Sequence, residues 1–148
     1  MMRVYGTSVA IGGDGILLRG PSGSGKSDLA LRLIDGGARL VCDDQTALQR
    51  IDGALVMSAP APLAGLIEVR GLGIVRVDHA ASAPLRLVVD LERDARIERL
   101  PDPRFCTIDG VAVPLIALDP FTASAPAKLR LALKALAAPI PAGALAAP

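Results

Sequence analysis

Aromatic side chains are scarce in this sequence, and so is an excess of charge of either sign. Its 148 residues include no Trp, one Tyr and two Phe. Proteins that bind single-stranded nucleic acid stack bases on aromatic rings, so a platform of that kind is not expected. The 16 Lys and Arg nearly balance the 15 Asp and Glu, whereas proteins that wrap a polyanion carry a basic excess. We therefore expect no nucleic-acid partner.

Metal-binding clusters and membrane-spanning segments are absent from the sequence as well. The cysteines are Cys42 and Cys106, neither of them in a Cys-x-x-Cys pair, and His79 is the single histidine. A structural zinc site needs about four such ligands. No run of about 18 apolar residues could span a bilayer, and the first residues do not resemble a signal peptide. These absences predict a cytoplasmic protein without a membrane partner, in which both thiols are reduced and buried.

Apolar residues make up 51% of the chain, which is enough for one domain with an aliphatic core. We assign residues 1–137 to that domain and expect 138–148, rich in Ala and Pro, to be a disordered tail. Residues 92–103 are charged and predict a loop. Periodicity and turn residues predict helices over 26–35 and 127–136, and strands over 4–11, 15–19, 39–42, 46–51, 54–58, 66–69, 73–77, 85–91 and 111–118. The predicted fold is a strand-rich α/β domain.

A complete phosphate-binding pattern, G-x-x-x-x-G-K-[ST], lies between a predicted strand and a predicted helix. Its residues are Gly20, Pro21, Ser22, Gly23, Ser24, Gly25, Lys26 and Ser27. Such a loop turns its backbone N–H groups toward phosphate oxygens, and the following helix adds the positive end of its dipole. Lys26 is placed to contact the β- and γ-phosphates, and the Ser27 hydroxyl to bind Mg²⁺. The loop therefore predicts a nucleoside triphosphate with Mg²⁺ as ligand.

Three further groups of charged residues are candidates for chemistry. Asp43 and Asp44 follow a predicted buried strand, where carboxylates bind Mg²⁺ through water or accept a proton, although acidic turns also follow strands that have no such role. Glu68 and Arg70, two residues apart, are expected to share one face of a strand. They could hold metal and phosphate, and the residues alone favour a simple ion pair between them. Arg99 by itself is typical of a surface arginine.

Four segments in this order resemble the C-terminal catalytic domain of HPr kinase/phosphorylase. They are GPSGSGKS (20–27), LVCDD (40–44), EVRGLGIVRV (68–77) and LVVDL…ERLP (87–101). The resemblance implies a P-loop α/β fold related to phosphoenolpyruvate carboxykinase, with a helix after the P-loop and another at the C-terminus. It also implies the short form of the family, which lacks the N-terminal domain, and assembly as a homo-oligomer, a hexamer in longer members.

The same resemblance implies an activity and roles for particular residues. Members of the family use ATP and Mg²⁺ to phosphorylate a regulatory serine of HPr, the phosphocarrier of the bacterial phosphotransferase system. One of Asp43 and Asp44 corresponds to the general base, and we favour Asp44. Glu68 corresponds to a metal-associated glutamate, Arg70 to the arginine of the family signature, and Arg99 to a catalytic arginine. The resemblance thus predicts a protein serine kinase.

The sequence departs from the family pattern at two places. Tyr5 occupies the position of a histidine near the start of the first strand, and a phenol supplies a single neutral hydroxyl instead of an imidazole. Residues 119–126 contain no cation, whereas the corresponding basic loop is associated with dephosphorylation, so the reverse reaction is not expected. A nucleotide-sensing module that has lost transfer is the alternative function. A small-molecule kinase is disfavoured because no Arg-rich lid is present.

Overall fold

The computed structural model describes residues 1–137, so the predicted tail, 138–148, lies outside the described residues. The described chain forms a strand-rich α/β fold with two helices, α1 (Lys26–Asp35) and α2 (Ala125–Ala137), and short 3₁₀ turns at Ala61–Leu63 and Asp94–Arg96. The strands are β1 (Met2–Tyr5), β2 (Thr7–Ile11), β3 (Asp14–Arg19), β4 (Arg39–Cys42), β5 (Gln45–Ile51), β6 (Ala54–Ser58), β7 (Leu66–Val69), β8 (Gly73–Arg76), β9 (Ser82–Leu91), β10 (Arg104–Ile108) and β11 (Val111–Leu118).

The strand directions bring five strand ends to one edge of the main sheet. The sheet has the order β1-β5-β6-β9-β3-β2-β4, and β11 with β10 continues from β9. Strand β9 pairs in parallel with both β3 and β11. Strand β2 lies antiparallel between β3 and β4. The carboxyl ends of β3, β4, β9 and β11 and the amino end of β2 therefore lie at the same edge, which we call the site edge.

The core lies on both faces of this sheet, because successive strand side chains point to opposite sides. On β3, Ile16 and Leu18 belong to the cluster under the two helices, whereas Leu17 belongs to the cluster on the other face. Leu29 of α1 and Leu129 of α2 are fully buried in the first cluster. The core is aliphatic, as predicted, and the three aromatic residues are 62% exposed or more. Within residues 1–137, neither helix is long and apolar enough to cross a membrane.

The predicted helix over 26–35 and the predicted strands over 39–42 and 111–118 are confirmed residue for residue. The predicted strand over 4–11 is instead divided at Gly6, and its two parts pair with different strands. A Cβ at Gly6 would lie 2.7 Å from Leu17 Cδ1 and 2.9 Å from the Leu18 carbonyl oxygen. The backbone approaches β3 so closely here that only glycine fits, and the chain changes neighbours at this residue.

Strand β10 was not predicted. It pairs antiparallel with β11 at the side of the sheet, and most of its side chains are exposed, so it lacks a hydrophobic pattern. The turn between the two strands is Asp109-Gly110, with positive φ at both residues. An Asp-Gly pair is a strong hairpin indicator, and this pair is the feature of the sequence that could have revealed β10.

Candidate active site

The phosphate loop follows β3 at the site edge, and its shape is held by hydrogen bonds between residues of the loop. The ammonium group of Lys26, which is 9% exposed, donates to the carbonyl oxygens of Gly20 at 2.6 Å and Pro21 at 3.1 Å. The N–H of Ser24 donates to Pro21 O at 3.0 Å. The Ser24 hydroxyl is buried and has no hydrogen-bond partner within the described residues. Phosphate oxygens bound at this helix N-terminus, beside Lys26, would supply the hydrogen-bond acceptor that the buried Ser24 hydroxyl lacks.

A second loop, residues 119–124, supports the phosphate loop from outside. Arg32 of α1 donates to the carbonyl oxygens of Pro120 and Thr122 and holds this loop in place. Gly25 has φ 98°, and a Cβ there would lie 3.1 Å from the Pro120 ring and 3.1 Å from Phe121 Cζ. A side chain at Gly25 would therefore combine a left-handed backbone with close contacts to the supporting loop.

We expect Gly25→Ala to lower stability and to weaken nucleotide binding. A left-handed backbone costs an L-residue about 1–2 kcal/mol, and the added methyl group would push against Pro120 and Phe121. The matched control is Gly13→Ala, because Gly13 has φ 88° with nothing within 4 Å of the added Cβ. Thermal unfolding should show a larger loss for Gly25→Ala than for Gly13→Ala, and nucleotide titration a weaker affinity for Gly25→Ala alone. Equal nucleotide affinity in the two variants would contradict this account of the loop.

Asp43 is held beside the phosphate loop by three donors from three elements. Its Oδ1 accepts hydrogen bonds from the Ser27 hydroxyl at 2.8 Å and from the Thr7 hydroxyl at 2.9 Å. Its Oδ2 accepts the Glu68 backbone N–H at 3.0 Å. Helix α1, strand β2 and strand β7 therefore all contribute to its orientation. Both oxygens of this half-buried carboxylate are engaged.

Asp44 is arranged differently. Its backbone has φ 65°, an uncommon conformation for a residue other than glycine. Its N–H donates to Thr7 Oγ1 at 3.2 Å, and its carbonyl oxygen accepts the Gly6 N–H at 2.9 Å. Its side chain is exposed, and its carboxylate accepts no hydrogen bond from the described residues. Asp44 thus offers an open carboxylate next to a carboxylate that is already occupied.

The residues present fit a magnesium ion that also binds phosphate and water. Ser27 Oγ and Asp43 Oδ1 are 2.8 Å apart and are the hard oxygen ligands that Mg²⁺ prefers. Residues 1–137 contain no group of three acidic, His or Cys side chains that would form a metal site by itself. The Glu68 side chain is exposed, and its contact with Asp43 is made through its backbone.

The candidate arginines are not brought into this network by hydrogen bonds. The expectation that Glu68 and Arg70 share one face of a strand is wrong, because β7 ends at Val69 and Arg70 begins the turn to β8. No ion pair joins them in the described chain. Arg99 lies exposed in the segment before β10, and Tyr5 is 80% exposed at the end of β1. The side chains of Arg70, Arg99 and Tyr5 are thus all accessible from solvent.

An ion pair that was not predicted fixes the entry to the phosphate loop. Arg19 at the end of β3 donates to both oxygens of Asp90 on β9, at 2.8 and 3.1 Å, and to Cys106 Sγ at 3.4 Å. The hydrogen bond to Asp90 raises the pKa of Arg19. Arg19 and Asp90 are register partners on neighbouring parallel strands. The sequence alone does not reveal this ion pair, because it depends on the register of β3 against β9.

Cys42 lies directly before the two acids, and its thiol is fully buried. Burial raises the pKa of this thiol to about 11, and the charges of Asp43 and Asp44 also raise it. Its Sγ donates to the Gln45 carbonyl oxygen at 3.0 Å. The prediction that cysteines are buried is confirmed here, whereas Cys106 is only half-buried.

We expect a thiol reagent at pH 8 to modify Cys106 and to spare Cys42 in the folded protein, because the thiolate is the reactive form. Because the pKa of Cys42 is raised in the folded protein, the neutral thiol contributes its full stabilisation at pH values below the unfolded pKa of 9.0. This contribution is lost as the pH rises toward about 11. Mass spectrometry of labelled peptides, with Cys106→Ser and the unfolded protein as controls, checks the order. Equal labelling of both thiols would contradict it.

A phosphate loop at the carboxyl edge of a sheet, with a hydroxyl and acids beside it, defines the class of P-loop nucleotide-binding domains. The family model of the HPr Serine kinase C-terminal domain matches residues 1–122, so the chain belongs to this family. The solved structure of the Hpr(Ser) kinase/phosphatase from Coxiella burnetii superimposes with a TM-score of 0.81 and 26% identity, over 90% of this chain and 95% of that one.

Curated relatives give the same family. HPr kinase/phosphorylase of Clostridium tetani is 49% identical over 75 residues, which is 51% of this chain and 25% of the relative. HPr kinase/phosphorylase of Clostridium kluyveri is 41% identical over 108 residues, which is 66% of this chain and 35% of the relative. The chain thus spans about a quarter to a third of the length of these relatives.

Proposed function

We propose that this domain is an ATP- and Mg²⁺-dependent protein serine kinase in the cytoplasm. Its substrate would be a serine of an HPr-type phosphocarrier of the bacterial phosphotransferase system, as the names of its relatives suggest. The observation that carries the proposal is the 2.8 Å hydrogen bond between Ser27 of the phosphate loop and Asp43, with the open carboxylate of Asp44 at the next residue. Phosphate-binding groups and a proton acceptor thus lie side by side.

In the proposed reaction, the Asp44 carboxylate accepts the proton of the serine hydroxyl while the serine oxygen bonds to the γ-phosphorus. The bond from this phosphorus to the β,γ-bridging oxygen breaks, and ADP leaves with that oxygen. Lys26 and the loop N–H groups hold the phosphates. Ser27, Asp43 and Glu68 would hold Mg²⁺, which neutralises phosphate charge when bound. Family resemblance supports Arg99 as the side chain that stabilises the transferring charge, and Arg70, the arginine of the family signature, as a further catalytic residue.

The proposal covers phosphorylation and not its reversal. The supporting loop, residues 119–124, contains no Lys or Arg, and the cation that contacts it, Arg32, is occupied with backbone carbonyl groups. Added phosphate should therefore release no label from a phosphorylated carrier.

Family resemblance also supports assembly as a homo-oligomer.

The experiment is incubation of the protein with γ-labelled ATP, Mg²⁺ and an HPr-type carrier. A carrier whose target serine is replaced by Ala is the matched control. The proposal expects label on the serine carrier and none on the Ala carrier. Label on neither carrier, with measurable ATP binding, would refute it.

That negative result would favour the alternative, a nucleotide-sensing module without transfer. Two observations support this alternative: Tyr5 replaces the histidine of the family pattern, and Lys26 is bonded to the carbonyl groups of its own loop. In that case Tyr5→His is the first variant to test for restored transfer.

A further inference from the structure

Thr7 lies within hydrogen-bond distance of both Asp43 and Asp44. It is the first residue of β2, and β2 runs antiparallel between β3 and β4, so its amino end meets the carboxyl end of β4 at the site edge. The close approach of Gly6 to Leu18 fixes the start of the strand. The Thr7 side chain is fully buried. No substrate reaches this hydroxyl directly, so it can act only through its neighbours.

The Thr7 hydroxyl connects Asp43 and Asp44. A hydroxyl has one proton and two acceptor lone pairs. Because the Asp44 N–H is a donor, 3.2 Å from Oγ1, the hydroxyl is its acceptor, and the single Thr7 proton goes to Asp43 Oδ1 at 2.9 Å. The direction of both hydrogen bonds is therefore determined. One buried side chain fixes the carboxylate of one acid and the backbone of the other.

Asp44 is the acid that needs this support most. Its φ of 65° is uncommon for an L-residue, and such conformations persist where the surroundings hold them. Both of its polar backbone groups are held from the same place: the N–H by Thr7 and the carbonyl oxygen by Gly6. The direction in which the Asp44 carboxylate projects thus depends on these two residues.

We propose that Thr7 is a positioning residue that holds Asp43 against Ser27 and keeps the Asp44 carboxylate turned toward the incoming hydroxyl. Its effect on the rate rests on the proposed phosphotransfer. Its effect on the conformation of Asp44 does not depend on that function and is measured separately.

The test compares Thr7→Val, which replaces the hydroxyl by a methyl group, with Thr7→Ser, which keeps it. The matched control is Ser8→Ala. The Ser8 hydroxyl is equally buried and lies within hydrogen-bond distance of Thr46 Oγ1, at 2.8 Å, and of the Cys42 carbonyl oxygen, without a bond to either carboxylate. All three variants are assayed for kcat, KM for ATP and thermal unfolding, and amide hydrogen exchange is followed at Asp44.

We expect Thr7→Val to lower kcat by about 10–100-fold, as changes behind a ligating residue do, with a smaller rise in KM for ATP because Asp43 keeps two of its three donors. Thr7→Ser should restore most of kcat, and Ser8→Ala should keep it while losing stability. Wild-type kcat in Thr7→Val, or an equal loss in Ser8→Ala, would overturn the proposal. If the wild-type protein transfers no phosphate, the proposed function fails and hydrogen exchange decides: faster exchange at Asp44 in Thr7→Val alone supports positioning, and unchanged exchange overturns it.

Discussion

Replacement of Asp44 by Asn is expected to lower the rate of phosphate transfer by about 10²–10⁴-fold, the usual contribution of a general base. Asn keeps the size of the side chain and its tolerance of positive φ, so the fold and the hydrogen bond from the backbone N–H of residue 44 to Thr7 Oγ1 should remain. The carboxylate of Asp44 is exposed and holds no other group. The affinity for ATP should therefore stay close to that of the wild type, and kcat should carry the loss.

The matched variant Asp43→Asn should give a different kinetic pattern. Asp43 accepts from Ser27, Thr7 and the Glu68 N–H, and an amide cannot accept at both of its positions. At least one of these bonds is lost beside the proposed magnesium ligands. We expect a higher Mg²⁺ concentration for half-maximal rate and a higher KM for ATP. Steady-state kinetics over a range of Mg²⁺ concentrations separates the two variants, and a kcat loss confined to Asp43→Asn would reverse the assignment of the base.

Lys26→Ala should abolish nucleotide binding and transfer together. Its ammonium group is the cation within the phosphate loop, and removal of one such charge-stabilising group costs about 10²–10³-fold. The loss of ATP affinity should be larger than that caused by replacing another charged residue, because in the free protein Lys26 also holds the shape of the loop through Gly20 O and Pro21 O. Calorimetric titration with ATP measures the affinity.

The control for Lys26→Ala is Lys128→Ala, an exposed lysine on α2. It removes the same charge from the protein without touching the loop. If Lys26→Ala kept transfer activity, or if both variants lost it equally, the assignment of residues 20–27 as the catalytic phosphate loop would have to be abandoned.

The sequence was informative where one local pattern determines the structure. The phosphate loop, helix α1 and the strand before Asp43 and Asp44 each follow from residues within a single stretch of chain, and the structure confirms these elements. The expectation that Glu68 and Arg70 share one face of a strand was wrong for a local reason. Gly71 takes φ 90° and Leu72 N–H bonds to Val69 O, so a turn ends the strand before Arg70.

Contacts between distant parts of the chain were out of reach of pattern reasoning. Thr7 and Asp43 are 36 residues apart in sequence, and Arg19 and Asp90 are 71 apart. Neither Thr7 nor Arg19 belongs to a motif. Their positions depend on β2 lying between β3 and β4, and on β9 pairing with β3, which the sequence of each strand does not specify. The residues proposed to bind the nucleotide were therefore predictable from local sequence, and the residues that position them were not.

The most direct test of the central claim is the stoichiometry of the products. The protein is incubated with ATP, Mg²⁺ and the HPr-type carrier, and ADP, inorganic phosphate and phosphoserine are quantified over time, for example by phosphorus NMR. Transfer to a serine hydroxyl predicts ADP and phosphoserine in equal amounts with no free phosphate. ADP accompanied by free phosphate, with an unmodified carrier, would show that the site hydrolyses ATP and would contradict the account.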